Sequence, residues 1–154
     1  LPIRLQGIEV NAQARTGAAA VYAAGDVASF EIAGTWTRWE NWTHARHQAQ
    51  VAAKAMLGQD ASYWDVPWVW SHQYDMNLQV TGAPHGDAIV ERGDLATGKL
   101  TVFHLKNQRL IGATTINESK HKSSIRKLVE ARAAIAPEVL ADTSVDLKKL
   151  AASL

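Results

Sequence analysis

The residues best suited to chemistry begin with Gly25-Asp26, which close the run "VYAAGD". A carboxylate placed straight after an apolar run is expensive to desolvate unless something pairs with it. Two chemistries fit. Asp26 either caps the turn that follows, or accepts hydrogen bonds from a polyhydroxyl ligand, which offsets the desolvation. Gly25 lets such a ligand approach the backbone closely. All six tryptophans fall between Trp36 and Trp70. Trp39 suits a core. Trp68 and Trp70 flank Val69 beside Pro67 and precede polar Ser71-His72-Gln73, a setting that suits contact with a flat ligand or a partner.

Other chemistries find no support. His44 and His47 are three residues apart with Ala45-Arg46 between them. A zinc helix uses four-residue spacing with a Glu between, and Arg46 repels a cation, so no metal site is expected. His85, His104 and His121 read as scattered surface residues. There is no G-x-S-x-G and no G-x-G, so neither a nucleophile elbow nor a dinucleotide pyrophosphate cradle is present. The absence of cysteine excludes disulfides, thiolate metal sites and a redox dithiol, and suits a cytoplasmic protein.

These residues need elements to hold them. Residues 7–10 and 21–24 read as strands, the second buried on both faces. Asp26 would then stand at the carboxyl end of a sheet, the edge where open α/β sheets take ligands. A loop is expected from 26 to 34. A helix follows from near Arg38, with Trp39, Trp42, Ala45, Ala49, Ala52, Ala53, Met56 and Leu57 on one face. Thr35 or Thr37 would cap it and Gly58 would stop it. Residues 59–73 read as loop because Pro67 blocks a helix, and a domain junction is expected between 64 and 65. Strands are expected at 74–81, 88–92, 100–105 and 109–116, with turns at "ATGK" and "KNQR". A helix over 120–135 would stripe Ile125, Leu128, Val129 and Ala133 and end at Pro137. Ser144 would cap a last helix through Leu150. The fold class is α+β: a strand–loop–helix piece over 1–64, with too few elements for a core of its own, then an antiparallel sheet of three or four strands with helices over 65–154.

The hydrophobic content of 47% can fill a core, yet no eighteen consecutive residues are apolar, so nothing spans a membrane as a helix. Charge is lopsided. Residues 1–98 carry six Lys/Arg against ten Asp/Glu, whereas residues 99–132 carry eight against two. The basic stretch is either a solvated face or a docking surface for an acidic partner. Tryptophan and basic residues occupy different stretches, which argues against nucleic-acid binding. Leu1, with no Met and no signal pattern, reads as a cut end of a longer protein.

"GIEVNAQARTGAAAVYAAGDVA", "RWENWTHARHQAQVAAKAMLG" and "VPWVWSHQYDMNLQVTG", in that order, resemble the FAD-dependent NAD(P)H:ferredoxin and rubredoxin reductases that serve ring-hydroxylating dioxygenases and cytochromes P450. That family is related to apoptosis-inducing factor and shares the glutathione-reductase-like architecture. "RGD", "VFHL" and "LIGATTIN" continue the likeness to the end of the chain. The resemblance implies that residues 1–64 are the C-terminal return segment of an FAD-binding domain and residues 65–154 the reductase C-terminal domain. It implies that Asp26 hydrogen-bonds the ribityl chain of FAD, with Gly25 and Val27 lining the approach, and that Glu40, Trp42 and Ala45 lie close to the flavin ring. The amino end of the helix would face the ring's pyrimidine side and stabilise negative charge there. Trp68 and Trp70 would stand near the ring where the iron–sulfur partner docks. NAD(P)H would be the reductant and a ferredoxin or rubredoxin the acceptor. Two departures, His72 where Asp is frequent and Glu118-Ser119 where Arg-Pro is usual, bear on partner preference and local charge. Contacts from the loop over 28–37 are not carried over. Alone, the chain is expected to be inactive and not to retain FAD. The other reading is a non-catalytic α+β interaction module, forming a homo-oligomer through exposed tryptophans or docking an acidic protein.

Overall fold

A two-residue strand β1 (Ile3–Arg4) turns through Leu5 and Gln6, both at positive φ, into β2 (Gly7–Glu9). The computed structural model describes residues 1–32 and 34–154. Ala33, inside the loop expected over 26–34, lies outside the described residues. The chain divides into two compact units, Leu1–Pro67 and Trp68–Leu154, against an expected junction between 64 and 65.

In the first unit β2 pairs in parallel with β3 (Ala28–Ile32), which pairs antiparallel with β4 (Thr35–Thr37). The strand expected at 21–24 does not form. Tyr22 makes only a single bridge to Arg15, and Val21 is exposed. Small Ala23-Ala24 offer little surface to bury, and Gly25 at φ +78° breaks the extended path. Ala28, Ser29 and Phe30 are all buried instead and take the place beside β2. Asp26 therefore sits in a 3-10 turn (Gly25–Val27) just before a strand, not after one. Strand β3 also falls inside the expected loop.

Helix α1 spans Trp42–Met56. Asn41 caps it, its side chain accepting from the His44 N–H at 2.8 Å. Thr35 and Thr37 are engaged in β4 instead. Gly58, at φ +72°, ends the helix as expected, its N–H donating to Ala55. The buried face is Thr43, His44, Gln48, Ala52 and Ala55. Trp42, Met56 and Leu57, expected inside, are exposed. The apolar-spacing rule misplaced the face because α1 packs on backbone polar groups, which demand polar side chains. The unit does have a core of its own, contrary to expectation: Val10, Ala23, Ala28, Phe30 and Tyr63, with Ile8, Ile32, Trp39 and Val51 against it.

The second unit is an antiparallel sheet of five strands: β5 (Trp68–Gln73), β6 (Met76–Gly82), β7 (Ala88–Asp94), β8 (Lys99–Lys106) and β9 (Arg109–Ile116), in the order β5-β6-β9-β8-β7. Trp68 and Trp70 lie on edge strand β5, not in a loop. Pro67 precedes the strand, so its missing N–H takes nothing from the ladder with β6. Asn107 and Gln108, both at positive φ, make the two-residue turn between β8 and β9. Helices α2 (Lys122–Glu130), α3 (Pro137–Ala141) and α4 (Leu147–Ala152) follow. Helix α2 is shorter than expected, and Pro137 begins α3 at its first turn, where its missing N–H is harmless. Asp146 caps α4, accepting from Lys148 N–H at 2.8 Å. Ser144 instead donates to Asp142. Phe103, Leu110, Ile125, Leu128, Leu140 and Leu147 are buried to 2% exposure or less. His104 is buried rather than superficial, its Nε2 3.0 Å from Thr114 Oγ1.

Candidate cofactor site

The Gly25–Val27 turn is held from α1. Gln48 Oε1 accepts from the Gly25 N–H at 2.9 Å, and His44 Nε2 lies 3.3 Å from the Gly25 carbonyl oxygen. A Cβ at Gly25 would come within 3.2 Å of the Ala45 Cβ. Glycine at this position thus answers two needs, a left-handed φ and a close helix. His44 also lies 2.7 Å from the Tyr63 hydroxyl through Nδ1. Its ring stacks on Phe30, with centroids 4.9 Å apart. Burial lowers the pKa of His44, against the smaller raising effects of the Gly25 carbonyl, Asp26 and Asp65. Burial and the nearby Asp65 raise that of Tyr63.

Asp26 itself is solvent-exposed, so burial does not compel a partner for its carboxylate, and the desolvation argument fails. Its backbone carbonyl accepts from Arg38 Nε at 2.7 Å, and the Arg38 guanidinium pairs with Glu40. Val27 is half exposed. Trp42 begins α1 with the Arg46 guanidinium over its ring. Gly25, Asp26, Val27 and Ala45 are therefore neighbours, and Arg38 links Asp26 to Glu40. Two polar atoms on α1, Thr43 Oγ1 and Gln48 Nε2, are buried without a hydrogen-bond partner. Orphaned donors at the amino half of a helix, beside a glycine cradle, fit a group bearing carbonyl or anionic oxygens. His47 donates from Nδ1 to Asp65 at 2.6 Å, and no group of metal-binding side chains occurs among the described residues.

In the second unit Trp68 and Trp70 stack with ring centroids 4.4 Å apart. Lys122 Nζ sits 3.2 Å from the Trp68 ring centroid. Burial, then Arg126, lowers its pKa. Trp68 Nε1 donates to Gln79 Oε1 at 3.1 Å. The sequence signalled Gly25, Asp26 and the tryptophans. It did not signal His44, Gln48, Tyr63, Arg38 or Lys122, whose roles depend on contacts distant in sequence.

A glycine–aspartate turn held from a helix lies in the first unit, and the second unit is an antiparallel sheet with helices. Residues 68–151 match the Reductase C-terminal family, and the chain belongs to it. It is 41% identical over 146 residues to the ferredoxin–NAD(+) reductase component of the anthranilate 1,2-dioxygenase system of Burkholderia cepacia, covering 92% of this chain and 36% of that protein. The ferredoxin reductase for the CYP199A2 system of Rhodopseudomonas palustris superposes with a TM-score of 0.88 at 36% identity, covering 94% of this chain and 37% of that one. Putidaredoxin reductase, in its covalent complex with putidaredoxin, superposes with a TM-score of 0.85 at 32% identity, covering 96% and 36%. The chain thus spans little more than a third of the length of these relatives. No described helix is long and apolar enough to cross a membrane.

Proposed function

We propose that this chain is part of an FAD-dependent oxidoreductase that passes electrons from NAD(P)H to a ferredoxin-type iron–sulfur protein. Residues 1–64 would complete the FAD-binding domain and residues 65–154 would be its C-terminal domain. The observation that carries this is the 41% identity, across 92% of the chain, to a reductase component. FAD, when bound, accepts hydride from the nicotinamide and gives up its electrons singly. The chain's residues bind and orient it. The Asp26 carboxylate accepts from ribityl hydroxyls, and its exposure leaves it accessible to them. Gly25 and Val27 line the approach. The first turn of α1, with Thr43 Oγ1, supplies donors to the oxygen-bearing edge of the ring and favours negative charge there. Glu40, Trp42 and Ala45 border the ring, and the stacked Trp68 and Trp70 offer an aromatic surface to the iron–sulfur partner. The basic stretch over 99–132 attracts an acidic ferredoxin.

The test is Asp26→Ala in the full-length reductase. Flavin content should fall, and undiminished content would remove the assignment. Isolated, the chain lacks a pyrophosphate grip and should lose FAD on dialysis; stoichiometric retention would refute the incomplete site. A salt titration with an acidic ferredoxin should show binding weakening as ionic strength rises.

A second reading, a non-catalytic module that self-associates, draws on Trp64 and Trp42, 59% and 61% exposed. Light scattering across a dilution series decides it: a chain that is monomeric at every concentration does not use this surface.

A further inference from the structure

His44 and Gln48 stand one helical turn apart on α1 and hold the two backbone polar groups of a single residue. Gln48 takes the Gly25 N–H and His44 faces the Gly25 carbonyl. A carbonyl oxygen only accepts, so His44 must carry a proton on Nε2. The ring is 1% exposed and sandwiched among Phe30, Trp39 and Tyr63, an environment that opposes the imidazolium. Nδ1 is therefore bare, and the Tyr63 hydroxyl 2.7 Å away donates to it. The partners thus dictate the tautomer. Asp26 and Asp65 act on the ring electrostatically, each in the direction that favours protonation, and burial outweighs them.

The Gly25 carbonyl belongs to the same rigid peptide plane as the Asp26 N–H. Glycine at positive φ lets that plane rotate at little steric cost. Gripping the carbonyl removes this freedom and fixes the peptide from which Asp26 springs.

We propose that His44, as the neutral Nε2–H tautomer, is a positioning residue. Tyr63 orients it, and through the Gly25 carbonyl it fixes the direction in which Asp26 presents its carboxylate to the cofactor. The proposal rests on the flavin reading above, but its first test needs no flavin.

Long-range proton–nitrogen spectra of the isolated wild-type chain should show His44 protonated on Nε2 and bare on Nδ1. The state should persist as pH is lowered past 6.5, the ordinary value for histidine. A proton on Nδ1 alone, or an imidazolium at neutral pH, overturns the proposal. The second test uses full-length reductase. His44→Phe, which keeps a ring but no donor, should loosen FAD about tenfold, the loss expected for a broken buried hydrogen bond. His44→Gln, which keeps a donor, should recover part of that loss. Equal FAD affinity for wild type and His44→Phe, in a protein whose affinity does respond to Asp26→Ala, overturns the positioning role and leaves the flavin reading intact. If Asp26→Ala has no effect, the flavin reading falls first. Should the variants fail to fold, the wild-type spectrum still decides the tautomer.

Discussion

Arg92 donates from Nη2 to the carbonyl of Val145 at 2.7 Å, joining strand β7 to the turn before α4 across 53 residues of sequence. The same guanidinium also bonds the carbonyls of Leu140, Asp142 and Thr143. One buried side chain thereby satisfies the backbone of an irregular segment that has no ladder of its own.

Replacing Arg92 with Met keeps the stem and removes all four hydrogen bonds. Buried carbonyls are left unsatisfied, and the second unit should lose about 3 kcal/mol of stability. Arg92→Lys should recover less than half, because a compact ammonium cannot span the same acceptors. Urea unfolding followed by tryptophan fluorescence reads both. A loss below about 1 kcal/mol in Arg92→Met would show that these carbonyls find other partners.

Gly25→Ala should destabilise the first unit by about 1–3 kcal/mol, from positive φ together with crowding against Ala45. Gly34→Ala separates the two causes. Gly34 has φ +80° but no neighbour within 4 Å of an added Cβ. It should cost only about 1 kcal/mol. Equal losses at the two sites would mean that the Ala45 contact contributes nothing.

Burial lowers the pKa of His44 below its ordinary 6.5. Between the folded value and 6.5 the unfolded chain binds more protons than the folded one, so stability increases with pH there. The contribution is complete above pH 6.5 and is lost as pH falls through the folded value. His104 and His121 are shifted the same way, chiefly by burial, and add to the slope. The measurement is the urea midpoint against pH for wild type and His44→Gln. The variant should have the shallower acid limb, and parallel curves would exclude His44 as a source.

Lys122 over Trp68 should contribute about 1 kcal/mol through its ammonium. Lys122→Met keeps the packing and removes the charge, so a double-mutant cycle with Trp68→Leu, which has no ring, isolates the ring contact. A coupling energy of zero would dismiss it. In the ultraviolet circular dichroism, the stacked pair should give an exciton couplet that Trp68→Phe and Trp70→Phe each abolish.

The strands β7, β8 and β9, the stripe Ile125, Leu128 and Val129, and the Gly58 stop were legible because each depends on neighbours a few residues away. Strand β5 was not. Its tryptophans and preceding proline match a loop as well as a strand, and only pairing with β6 decides between them. The 21–24 segment failed in the opposite way. Its apolar residues match a buried strand, yet β2 pairs with 28–29 instead.

The order of short motifs around Gly25-Asp26, Trp39 to Gly58 and Trp68 to Gln73 carried a resemblance to the family, and the match over residues 68–151 shows it. Tertiary structure alone decided which side of α1 faces inward and what His44, Gln48 and Arg92 hold. Their partners are backbone amides and carbonyls, present at every residue, and only folding selects which ones remain to be satisfied.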